Sequence, residues 1–367
     1  MKWKPMIAIT GVLLLFMLCP VPAHAADTEE QLWDAVDTEA LEDAAGEEND
    51  FSLDSELNLE EGLSVLAERA AEQLESALSG AVRSGGLMLL IVLFCGMGES
   101  LFQSGQTAMT RTADMIGVAA ITLIAASDTA SMIGLGKEAI GQIDAFSKAL
   151  IPTMSAASMA CGSISGSVVR QAATLLFSDV LITLINRVLI PAVYVYIAVT
   201  AATAALGNKG IAAIAGLMRR GVKGVMTAIL LVFTGYLSIS GAAAGTADAV
   251  TLKTTRLAIS SMVPVVGSIL SDATETVLVG AASIRNVIGI FGTLVVLGFC
   301  IVPFLYLGAQ YLVYKVISVL ASVLYQGTIS ELIDQIGAAF GLVLGMLGSC
   351  ALLVLISLIG TISVAVS

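Results

Sequence analysis

Hydrophobic positions in this chain fall in long runs rather than in alternation, so the pattern predicts helices and no sheet. Beyond residue 85 several runs approach the roughly 20 residues needed to cross a bilayer core. Six are clear: 86–102, 113–130, 188–206, 225–243, 287–307 and 338–364. Three further stretches, 146–166, 172–186 and 262–282, carry Gly, Ser, Pro or charge among the apolar residues. They are expected to be interfacial helices, re-entrant pieces or additional spans, since irregular backbone at membrane depth needs protein or a water-filled cavity around it. The pattern changes nearer the start. Over 57–78, Leu59, Leu63, Leu66, Ala70 and Leu74 recur at helical spacing with Glu60, Glu61, Glu68, Glu72 and Glu75 between them. That is an amphipathic helix suited to packing on the membrane domain or on a partner.

The segment 1–25 has the form of an export signal. Lys2 and Lys4 precede an apolar run over 6–19, Pro20 and Pro22 break it, and Ala23-His24-Ala25 supplies a cleavage site. A retained anchor is the alternative, and either places the following residues outside the cytoplasm. The predicted organisation is therefore a signal peptide (1–25), an acidic extracytoplasmic segment with one amphipathic helix (26–82) and a multispan domain (83–367). The fold class is all-α, a polytopic transmembrane bundle of six to eight spans.

Composition sharpens this picture. Of 367 residues, 57% are hydrophobic and 13% charged, against about 25% charged in a soluble domain. The net charge of −12 is local: 18 acidic residues and one basic residue, Arg69, lie between Asp27 and Gly80, while the remainder to the C-terminus is slightly basic. Residues 27–50 should therefore be a solvated, largely disordered linker. Nucleic acid, which requires a basic surface, is not an expected partner. The one histidine, His24, sits in the signal, which removes Ser-His and His-metal chemistry from the mature chain and points away from an enzyme. The five cysteines share no metal-ligand spacing, and no nucleotide-binding motif is present. No cofactor is expected.

Basic residues in short loops set the orientation. With the N-terminal side outside, Arg111 lies in the cytoplasm after the first span. So does the loop after the third span, with Lys209, Arg219, Arg220 and Lys223, and so does Lys315 after the fifth. A repeat appears at an offset of 112 residues, aligning Leu150-Ile151-Pro152 with Met262-Val263-Pro264 and Pro191-Ala192-Val193-Tyr194 with Pro303-Phe304-Leu305-Tyr306. Its halves, about 110–220 and 222–332, would be parallel repeats. Chance alignment of apolar sequence is the alternative.

Charges within spans usually face a partner or an aqueous path. Glu99, Asp128, Asp179 and Arg187 are the intramembrane candidates, the last two eight residues apart and so placed on a shared face. Most lie near predicted ends, where long side chains can snorkel. Gly337, Gly341 and Gly345 form a small-residue stripe for close helix packing, with a neighbour in the same chain or, in a homo-oligomer, another copy. Between two spans, Asp248, Lys253, Arg256, Pro264, Gly267, Asp272, Glu275 and Arg285 form a polar, broken stretch. It reads as a helix with cations, a proline-glycine break, and a second helix capped by Ser271 or Asp272. Such an element suits a gate or re-entrant loop, and equally an ordinary extracytoplasmic cap.

This stretch resembles the stage III sporulation protein AE family. That family carries a "GA…AD", a basic-Thr-x-basic, an "IPVVGG-x-LSDA", and a "TV" followed by a basic-Asn pair, in this order. Here they stand as Gly241-Ala242, Ala247-Asp248, Lys253 to Arg256, Val263 to Gly267 with Leu270-Ser271-Asp272-Ala273, Thr276-Val277 and Arg285-Asn286. Val263 replaces Ile, and Ser268 stands where a second Gly is expected. The resemblance implies a subunit of the stage III sporulation A–Q channel, which links mother cell and forespore. Its implied partners are the other A-operon membrane and ring proteins, the forespore Q partner, a separate ATPase and the bilayer itself. The implied location is the outer forespore membrane. The family offers no catalytic residues to carry over. An independent secondary transporter and a passive scaffold for ring proteins are the rival readings.

Overall fold

The computed structural model describes the backbone of residues 38–46, 51–53, 57–101, 107–160, 164–262, 267–325 and 328–363. Side chains are described over the same ranges except 38, 99–111, 113, 160–171, 209, 240–281 and 360–363. The described residues form helices and connecting turns. A short helix α1 (Thr38–Ala45) precedes α2 (Leu59–Leu101) and α3 (Thr107–Ala160). Then come α4 (Ile164–Leu184), a π-helical turn (Ile185–Leu189), and α5 (Ile190–Leu206), followed by α6 (Lys209–Met262), α7 (Gly267–Leu324) and α8 (Thr328–Ser363). Six helical stretches are long and apolar enough to cross a membrane: Leu59–Gly98, Asp114–Met159, Ala172–Leu206, Gly210–Ile239, Ala282–Leu324 and Thr328–Ile359. Each contains one of the six clear runs in the sequence or most of it. The fold is that of a polytopic helical bundle.

α7 is the axis. It packs on α8, α2, α3 and α6, and Phe291, Leu294, Val296, Leu307, Tyr314 and Ala321 are fully buried along its length. Phe146 of α3 meets Phe291 and Phe299 at ring-centroid distances of 6.2 and 5.9 Å. α6 lies against α4, α5, α7 and α8, and among its described side chains it buries a narrow stripe, Ala215, Val222, Met226 and Phe233. On the other flank, α2 packs on α3 and α7.

Several expectations are corrected. The acidic linker contains a docked helix within its described part. Leu41 and Ala45 of α1 are buried against the core, and Gly46 ends the helix at φ 79°. Two apolar residues one helical turn apart give an eight-residue helix a face to dock, which offsets the ordering entropy that a wholly polar stretch could not. The amphipathic helix and the first span are one 43-residue helix, α2, started by Asn58, whose Oδ1 accepts the Glu60 N–H. Its buried line runs through Gly62, Leu66, Ala77, Ala81 and Ser84, while Leu59, Leu63 and Leu74 are exposed. Small residues choose this face: a Cβ on Gly62 would overlap Leu294, so α2 approaches α7 where its side chains are absent.

The run 146–160 continues α3 through Pro152, and 172–186 continues α4 into the π turn. Neither is a separate span. The expected basic loop after the third span is a two-residue turn. Gly207 takes φ 67°, its N–H donates to the Thr203 carbonyl, and Asn208 Oδ1 accepts the Gly210 N–H to start α6. Arg219, Arg220 and Lys223 therefore stand on the early turns of α6, where good helix formers follow an N-cap. α7 begins at Gly267, so Ser271 and Asp272 lie inside it and are not caps. The signal segment 1–25 and Val263, Pro264, Val265 and Val266 lie outside the described residues.

Candidate functional site

The polar centre of the bundle is built around Asp128 on α3. Gln310 Nε2 of α7 donates to Asp128 Oδ2 at 2.7 Å and to Ser84 Oγ of α2 at 3.1 Å. The Tyr314 hydroxyl, one turn along α7, donates to the same Oδ2 at 2.7 Å. Ser84 in turn donates to the Ala81 carbonyl at 3.0 Å. Three helices thus converge on one carboxylate through donors that carry no charge. Gln310 and Tyr314 are buried, whereas Asp128 is half-buried. A carboxylate at the centre of a span is penalised by about 2.5–3.5 kcal/mol on insertion scales. Each hydrogen bond to a charged group returns about 1.5–3 kcal/mol in soluble proteins and less in lipid. Two such bonds offset part of that cost without a cation.

A second polar connection lies beside it. Lys315, next to Tyr314, pairs with Asp334 on α8 and stands 5.8 Å over the Tyr311 ring. The Tyr196 hydroxyl of α5 donates to the Gln335 carbonyl at 2.9 Å. The Gln335 side chain donates to Glu331 at 2.9 Å, and its Oε1 is buried without a partner among the described residues. Gln335, Glu331, Thr328, Thr200, Thr203 and Asn208 border a cavity of about 260 Å³ at the α5–α6 turn. A second cavity, of about 310 Å³, lies beneath α1 between Arg69, Glu138, Gln142, Phe299 and Pro303. Pro303, inside α7, has no N–H to donate to the Phe299 carbonyl, and both residues line this cavity.

The structure sorts the sequence candidates. Asp128 is a true centre. Asp179 and Arg187 are both exposed, Arg187 within the π turn, and no ion pair joins them. Arg285 is buried on α7, alone among the described charged residues. The side chains of Glu99, Asp248, Lys253, Arg256, Pro264, Gly267, Asp272 and Glu275 lie outside the described residues. The small-residue stripe packs within the chain. A Cβ on Gly337 would fall 2.9 Å from Tyr314 Cβ, one on Gly341 3.3 Å from the Tyr311 ring, and one on Gly345 3.5 Å from Met226 Cε.

Sequence reasoning missed Ser84, Gln310 and Tyr314. Gln310 carried a signal, being an amide in the middle of a strongly apolar run. Ser84 and Tyr314 carried none, because both residue types are common in membrane helices. Among the described residues, no three His, Cys, Asp or Glu side chains come together where a metal ion would fit.

A model of the family described as stage III sporulation protein AE matches residues 56–366. A curated relative, the stage III sporulation protein AE of Bacillus subtilis (strain 168), is 23% identical over 276 residues, covering 74% of this chain and 69% of the relative. No solved structure matches the chain.

Proposed function

Since this chain belongs to the stage III sporulation protein AE family, we propose that it is a membrane-embedded subunit of the stage III sporulation A–Q channel between mother cell and forespore. The observation that carries this reading is the extent of the match. Residues 56–366 take in all six long apolar helices, so the likeness belongs to the whole membrane domain and not to one motif. The protein is thus a multipass membrane protein of sporulation. Its finer role is that of the pore or permease-like part, set in the outer forespore membrane with the acidic N-terminal segment facing the intermembrane space and its ring-forming proteins. It is not an enzyme in this reading, and energy comes from a separate ATPase partner.

The Asp128 centre favours a second reading, an independent secondary transporter, because a carboxylate tied to neutral donors within spans is what proton coupling would use. Passage of a fluorescent solute between the two compartments of sporulating cells separates the readings. Neutralising Asp248, Asp272 and Glu275 lowers passage in a channel subunit while partner recruitment stays intact. A scaffold keeps both. Proton-dependent uptake by vesicles containing this protein alone supports the transporter and removes the channel reading.

A further inference from the structure

Asp128 and the cations of α6 stand at the same height on different flanks of the bundle, level with Ser84 before the first span, which corrects the expectation that the residues before that span and positions 209–223 lie on opposite sides of the membrane. Tyr314 bonds Asp128, and its neighbour Lys315 pairs with Asp334. The carbonyl of Gln335, next to Asp334, accepts the Tyr196 hydroxyl. Tyr196 and Arg219 each lie three turns from the Gly207–Asn208 turn that joins their antiparallel helices, so they are level. Arg219, Arg220 and Lys223 border an open cleft on α6, and no ion pair joins them to any described residue. The matching acceptor is across the molecule. Asp128 uses only Oδ2 in its two hydrogen bonds, its Oδ1 has no partner among the described residues, and the residue is half-buried with Ser127 and Ser131 exposed beside it.

We propose that one copy of this chain docks the Arg219–Arg220–Lys223 flank of its α6 against the Asp128 flank of the next, pairing the free carboxylate oxygen with a guanidinium or ammonium. Two further features fit a helix left open for a neighbour. α6 is the least buried of the six candidate spans. Cβ atoms added at Gly221, Gly224 and Gly235 would meet nothing within 4 Å, which leaves a small-residue line free for close approach. The contact joins two different surfaces, so it is head-to-tail, and it closes into a ring when the rotation between copies divides a full turn. This geometry alone carries the contact, which stands apart from the channel reading.

The test uses two differently tagged full-length copies in one bilayer, with Cys19 and Cys161 replaced by serine and the buried Cys95, Cys300 and Cys350 retained. Ser131→Cys in one copy and Thr227→Cys in the other should form a disulfide-linked dimer under mild oxidant, while neither variant links to itself. Asp128→Asn keeps an acceptor for Gln310 and Tyr314, and should still cut the yield by about threefold to thirtyfold, as should Arg219, Arg220 and Lys223 changed together to Gln. Same-site linkage, absence of the mixed dimer, or a yield indifferent to both neutralising changes overturns the proposal.

Discussion

Replacing each glycine of the α8 stripe by alanine should give a graded series, and the gradient follows from what each new methyl would touch. At Gly337 the methyl falls 2.9 Å from Tyr314 Cβ and 3.8 Å from the Tyr314 carbonyl carbon. Neither atom can rotate aside, because the Tyr314 ring is fully buried, packed edge-on to Phe340 at 5.0 Å and bonded to Asp128. The helices must part there, and overpacking of this kind costs about 1–3 kcal/mol. Alanine recovers up to about 1 kcal/mol of helix propensity over glycine, which leaves a net loss of about 0–2 kcal/mol at this position. At Gly341 the nearest atoms are 3.3 Å away at the rim of the half-buried Tyr311 ring, which can tilt, so strain and propensity nearly cancel. At Gly345 the nearest atom is the terminal methyl of Met226 at 3.5 Å, an ordinary contact, and the propensity gain of up to about 1 kcal/mol survives. Unfolding of the three variants by SDS in mixed micelles, followed by circular dichroism, should therefore place Gly337→Ala below the parent, Gly341→Ala beside it and Gly345→Ala at or above it. A Gly345→Ala variant as damaged as Gly337→Ala would refute the packing argument and move the stripe to a contact between copies.

Tyr314→Phe keeps the ring and deletes one donor to Asp128, so the same unfolding assay should show a loss of about 0.6–2 kcal/mol, and an unchanged midpoint would remove the three-helix centre. Lys315→Glu and Asp334→Lys should each weaken the bundle, and the double exchange should recover most of the loss, which is at most about 1 kcal/mol for a pair this exposed; the recovery is read as a double-mutant cycle. Leu41→Asp sets a charge where burying leucine contributes about 1.5–3 kcal/mol. It should undock α1, speeding proteolysis before residue 57 with no change in the unfolding midpoint of the bundle.

The spans were legible because a run of 20 apolar residues has few other uses. What joined them was less so. A helix that leaves the bilayer loses its hydropathy signal but keeps its hydrogen bonds, so Pro152 read as a break although α3 passes through it, and the acidic face of 59–75 read as separate from the span that continues it. The choice of buried face on α2 was hidden because it rests on Gly62, Ala77 and Ala81, residues with little hydropathy of their own. Asp128 was visible as a charge in a span. That its partners would be an amide and a phenol rather than a cation depends on which helices meet, and no pattern along the chain encodes that meeting. The polar stretch that carries the family resemblance was the clearest guide to kinship and lies largely beyond the described side chains.

Helix length has a consequence of its own. At 1.5 Å per residue, the 54 residues of α3 reach about 80 Å, while the hydrocarbon they must cross is about 30 Å thick. α6 and α7 have similar reach. The bundle is thus a mast as well as a membrane plug: rigid helix stands clear of the lipid by more than the lipid's own depth. A soluble protein can grip it there without ever touching a headgroup.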